Sequence, residues 1–119
     1  MKISIHVDSS LPPHAAELIE RRCESAFHRF SSVIDDVFVT LTDENGPKGG
    51  DSIQCVLRVR QVRHADVIIH THADIFERAF GLALDRAAYQ VSRSHGRRQH
   101  GARTLRRGDV AVLQEAVPA

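Results

Sequence analysis

Residues 53–91 read IQCVLRVRQVRHADVIIHTHADIFERAFGLALDRAAYQV, and a change of period inside this stretch decides the fold. Ile53, Cys55, Leu57 and Val59 alternate with Gln54, Val56, Arg58 and Arg60, the period of two that marks a strand with one buried face. Arg63-His64 marks a turn, after which Val67, Ile69 and Thr71 alternate with Ile68, His70 and His72, so the two strands form a hairpin. From Asp74 the period lengthens. Phe76, Phe80, Ala83, Leu84, Ala87 and Val91 fall on one face of a helix at about 100° per residue, with Asp74 as predicted N-cap and Gly96 as predicted stop.

Upstream of the hairpin, Val37, Val39 and Leu41 alternate with Phe38, Thr40 and Thr42, and Ile3, Ile5 and Val7 alternate with Lys2, Ser4 and His6, giving two more half-buried strands. Between them Ser9-Ser10-Leu11-Pro12-Pro13 supplies capping hydroxyls and prolines suited to a first helical turn. The helix is predicted to run to about Phe30, with Ala15, Ile19, Cys23, Ala26 and Phe30 turned inward. Its basic side carries Arg21, Arg22 and Arg29, and its acidic side Glu17, Glu20 and Glu24. The polar stretch from Asp43 to Gly50 reads as a connecting loop. The order is β-α-β-β-β-α. One apolar face per element predicts an α+β domain: a four-stranded, mainly antiparallel sheet with both helices packed on one face.

A chain of 119 residues with 42% hydrophobic and 26% charged residues is one globular domain, too short for a multidomain enzyme. No apolar run approaches the roughly 18 residues of a membrane span, and the opening Met1-Lys2-Ile3-Ser4 has no secretory pattern, so a cytoplasmic location is expected. Cys23 and Cys55 fall at inward positions and are expected as buried thiols.

The net charge of +1 conceals a division along the chain. Residues 1–85 carry nine basic and thirteen acidic side chains, whereas residues 86–119 carry seven arginines against Asp109 and Glu115. Fourteen of the sixteen basic residues are arginine, the side chain best matched to phosphate and to stacking on bases. Arg78, Arg86, Arg93 and Arg97 form a stripe on the exposed side of the second helix, and Arg98, Arg103, Arg106 and Arg107 extend it. Should the two helices lie side by side, their stripes would flank a groove for a nucleic-acid backbone. The boundary is expected at Gly96, with 1–96 as an RNA-binding domain and 97–119 as a basic, flexible tail.

The opening Lys2-Ile3-Ser4-Ile5, the helix Glu17-Leu18-Ile19-Glu20-Arg21-Arg22-Cys23-Glu24, and Phe30 followed by Val37-Phe38-Val39-Thr40-Leu41 together resemble the ribosome hibernation-promoting factors, also called ribosome-associated inhibitor A proteins. Asp74-Ile75-Phe76, Asp85-Arg86-Ala87 and Gln90-Val91 are similar to the second helix of that family, and the chain looks like its short form. The resemblance implies a fold like that of double-stranded-RNA-binding domains. It further implies binding of the small ribosomal subunit near the decoding centre, blocking mRNA and tRNA sites in starved or stationary cells. The resemblance carries over Arg21 and Arg22 directly and Arg86, Arg93, Arg97 and Arg98 more loosely as RNA contacts; Arg29 and Arg78 join them from the basic faces of the helices, and no cofactor, no membrane partner and a monomeric chain are expected.

Other readings of the same residues carry less weight. His70 and His72 share a strand face, but a metal site would need a third ligand such as His6, which requires the first and fourth strands to be neighbours. The Gly46–Gly50 loop lacks the Lys-Ser/Thr ending of a phosphate loop. Arg58, Arg60 and Arg63 read as a solvated face. The main alternative is a regulatory module that binds a protein through its sheet face or tail.

Overall fold

The computed structural model describes residues 1–44 and 52–99, with side chains through His95. The 45–51 loop and the 100–119 segment lie outside the described residues, as do the side chains of Arg97 and Arg98, and the expectations that fall on them lie outside with them. The elements are β1 (Lys2–Val7), α1 (Ala15–Phe27), a 3-10 helix (His28–Val33), β2 (Ile34–Asp43), β3 (Ile53–Gln61), β4 (Val67–Ala73) and α2 (Phe76–Gln99). The predicted order β-α-β-β-β-α is the observed one. The sheet runs β1-β2-β3-β4, with β1 parallel to β2 and the other pairs antiparallel. A parallel pair needs a crossover, and α1 provides it.

Alternation along the strands assigns their faces. Val37, Val39 and Leu41 of β2, Cys55, Leu57 and Val59 of β3, and Val67 and Ile69 of β4 are buried beneath the helices. Ile19, Cys23 and Phe27 of α1 and Phe76, Ala79, Phe80, Ala83, Ala87 and Val91 of α2 close the same core. Thr71 is the polar member of the inward row on β4. Its hydroxyl donates to the Ala79 carbonyl at 2.7 Å, which satisfies a buried oxygen and ties β4 to α2.

Both ends of both helices differ from the sequence expectation. Pro12 and Pro13 stand in a turn before α1, because a residue followed by proline is driven out of the helical region. Leu11 N–H there bonds the Asp8 carbonyl at 3.0 Å. At its other end α1 stops at Phe27 and tightens into the 3-10 helix. The buried ladder is therefore Ala15, Ile19, Cys23 and Phe27 at strict i,i+4 spacing, while Ala26 and Phe30 pack only partly. Finally, α2 begins at Phe76 and runs through Gly96 to Gln99. Asp74 lies outside it and pairs with Arg78 at 2.6 Å rather than capping, and Gly96 does not stop the helix.

The Asp8 carboxylate fixes the β1–α1 turn by accepting from the backbone N–H groups of Ser10 at 3.1 Å and Asp43 at 3.3 Å. These two donors hold its carboxyl below the usual carboxylate range. Gly81 sits inside α2, where an added Cβ would meet no atom within 4 Å. Gly81→Ala should therefore stabilise the domain by about 0.5–1 kcal/mol through the lower chain entropy of the unfolded state, read as a raised urea midpoint with unchanged slope.

Cys23 and Cys55 are free and fully buried, as their inward positions predict. Burial pushes both thiols up to about 12 from 9.0, and the neighbouring Cys55 adds to the effect at Cys23. The native state thus holds both protons where the unfolded chain has released them. The contribution of the neutral thiols is complete below pH 9.0 and is lost as pH rises from there toward about 12. Across that window each thiol should cost about 1.4 kcal/mol of stability per pH unit. A Cys23→Ala/Cys55→Ala variant should show a shallower alkaline loss than the parent in denaturation series at fixed temperature; an identical loss would contradict this.

Candidate nucleic-acid interface

The ion pairs sort the arginines into two groups. On the open sheet face Arg58 pairs with Asp66 at 2.7 Å and Arg60 with its cross-strand neighbour Asp36 at 3.1 Å, so that face is solvated and neutralised. Arg78 is held by Asp74. In contrast, Arg21, Arg22, Arg29 and Arg93, together with Arg63 in the β3–β4 turn, form no ion pair among the described residues, and all five are exposed. Arg86 is half-buried on α2.

Three of these five arginines rest on aromatic rings. The Arg22 guanidinium lies 5.5 Å from the centroid of Phe80, Arg29 lies 4.8 Å from Phe30, and Arg93 lies 5.9 Å from Tyr89. A guanidinium lodged on a ring gives up less freedom when it meets a phosphate, and its planar fork stays available for bidentate contact. Phe80 is fully buried, so the seat of Arg22 belongs to the core.

The placement differs from a groove flanked by two basic stripes. Phe80 and His95 are the α2 residues that meet Arg22 and Phe30, and they lie about 60° apart on the helix. Arg86 and Arg93 point about 160° away from that side. Arg22 therefore stands at the seam between the helices, while Arg93 borders a separate groove against the β3–β4 turn. Sequence periodicity gives each helix its faces but not the direction in which its neighbour lies.

The histidine face is settled by strand order. β1 and β4 are the opposite edges of the sheet, so His6 stands three strand spacings, about 14 Å, from His70 along one row. The three rings cannot converge on one ion. Among the described residues no group of three or more His, Cys, Asp or Glu side chains has the geometry to hold a metal, and no helix is long and apolar enough to cross a membrane.

Fold and charge together define a β-α-β-β-β-α domain whose unpaired arginines gather on the helical layer and the turn beside it. A solved ribosomal subunit interface protein from Coxiella burnetii shares this architecture, with a TM-score of 0.58 and 14% identity, covering 81% of this chain and 99% of that one. The likeness is one of fold. No family profile and no curated protein matches the sequence.

Proposed function

We propose that the domain is a ribosome-associated translation inhibitor of the hibernation-factor type. It binds RNA of the small subunit near the decoding centre and occupies space that mRNA and tRNA would use. The single observation that carries this reading is the contrast in charge pairing: among the described residues exposed Arg21, Arg22, Arg29, Arg63 and Arg93 have no carboxylate partner, while Arg58, Arg60 and Arg78 are neutralised. An unpaired, ring-seated arginine is matched to a phosphate backbone, and the fold shared with a ribosomal subunit interface protein points to ribosomal RNA. Inhibition on this reading is steric, with no catalytic residue and no cofactor, in the cytoplasm and by a monomer. Arg86, Arg97 and Arg98 extend the contact along α2, and Arg78 joins once RNA displaces Asp74. The test is co-sedimentation of the full chain with purified small subunits, run beside an in vitro translation assay. Binding at low salt together with loss of translation supports the reading, and failure to sediment at low salt overturns it.

One observation favours a second reading, a protein-binding module. Ile68 is 54% exposed on the open sheet face, in one cross-strand row with Phe38 and Arg58. On that reading Ile68→Asp would remove a partner that helix variants retain.

A further inference from the structure

The groove beside Arg93 has features that backbone binding does not require. It lies between the β3–β4 turn and the C-terminal half of α2, has a volume of about 480 Å³, and is lined by Gln61, His64, Tyr89, Gln90, Arg93 and Ser94 among others. That volume falls in the range of pockets that hold small organic groups. Its base is rigid. His64 and His95 meet edge to face with centroids 4.6 Å apart, the His95 Nε2 and Gln61 Oε1 are 2.9 Å apart, and Gln61 Nε2 donates to the Ala65 carbonyl at 2.9 Å. One member of this base is incomplete: His64 Nε2 is the buried side-chain polar atom without a hydrogen-bond partner among the described residues. That atom has no exposed surface, so it belongs to the base beneath the groove, and the occupant's contacts come from the exposed rim.

The chemistry of the rim narrows the occupant. Tyr89 and Arg93 together present a ring and a guanidinium. Asp66, the acid on the groove, is already paired with Arg58, so the local charge is that of Arg93. An aromatic plane, a neighbouring unpaired cation and several polar groups suit one unstacked nucleobase with its phosphate.

We propose that this groove binds a single unstacked nucleotide of single-stranded RNA, with its base against Tyr89, its phosphate at Arg93 and its polar edge facing Gln90. The proposal rests on the RNA-binding reading above and adds a contact to the base. Two kinds of contact would then operate: the α1 arginines hold any RNA backbone, and the groove selects an unpaired base.

The test is fluorescence anisotropy with the full chain, using a labelled single-stranded RNA decamer and a duplex RNA of the same length. Parent, Tyr89→Ala, Tyr89→Phe and Arg21→Glu/Arg22→Glu proteins would be compared, with circular dichroism confirming that each is folded. Tyr89→Ala should weaken the single strand by about 10-fold, the factor for one lost stacked base, while leaving duplex affinity and salt dependence unchanged. Tyr89→Phe should restore binding. The α1 double variant should weaken both RNAs. Unchanged single-strand affinity in Tyr89→Ala, with the parent binding RNA normally, would overturn the groove and leave the broader reading intact. Equal loss on both RNAs would also overturn it, as would binding of free adenosine monophosphate as tightly as the decamer. Absence of any RNA binding by the parent would overturn both readings.

Discussion

Reversing two charges on one helix, as Arg21→Glu/Arg22→Glu, should abolish co-sedimentation with ribosomal subunits at salt where the parent still sediments, leaving residual binding measurable only at lower salt and the fold unchanged. Both side chains are exposed and neither has a carboxylate partner among the described residues, so there the folded protein forfeits only the contact of Arg22 with Phe80. On RNA the effect is large. Each phosphate neutralised adds about 0.7–0.9 to the slope of log affinity against log salt, so removing two contacts should lower that slope by about 1.4–1.8. Reversal also places two acids against the backbone, which drives affinity down further than neutralisation would. The slope is the decisive readout, because a variant that weakened binding through misfolding would reduce the amount bound without a defined change in salt dependence. A slope equal to that of the parent would show that α1 does not face RNA.

The second large effect is on stability. Phe80 is fully buried among residues of the sheet and both helices. Phe80→Ala removes most of a ring and leaves a cavity, a change that costs about 3–5 kcal/mol, a large share of the total stability of a domain this size. Chemical denaturation should show this as a sharply lowered midpoint. The same substitution removes the seat of Arg22, so RNA affinity should fall even under conditions in which the variant remains folded. A loss below about 1 kcal/mol would mean that the α1–α2 seam is looser than its burial indicates.

Much of this architecture is written in period. Each strand alternates cleanly because the sheet has one covered and one open face, so period alone places Val37, Leu57 and Ile69 inward, and Arg58, His70 and His72 outward, with no knowledge of pairing. The apolar face of α2 is equally legible, although Ala79 adds little to the pattern because its side chain is small. Local chemistry misleads at three points. A uniform helix turns Phe30 inward, but the chain tightens after Phe27 and gives Phe27 that place. Gly96 costs an interior helix only about 1 kcal/mol, too little to end α2 by itself. Asp74 has a competing partner four residues along in Arg78.

What the sequence withholds is tertiary. The pairing of Arg60 with Asp36 depends on the register of β2 against β3, and it is this pairing that removes Arg60 from the basic surface. The groove at Arg93 joins Gln61 and His64 to His95 across more than thirty positions, and no local signal links them. The candidate arginines are thus visible as residue types. Which of them are unpaired, and which side of α2 faces α1, is decided only by the fold.

Whether the domain meets ribosomal RNA of the small subunit is tested most directly by chemical probing of that RNA. Purified small subunits would be probed with and without the full chain at low salt. Nucleotides around the decoding centre should be protected, and Arg21→Glu/Arg22→Glu should lose that protection. Unchanged reactivity throughout the RNA, with the chain present in excess, would contradict binding at this site.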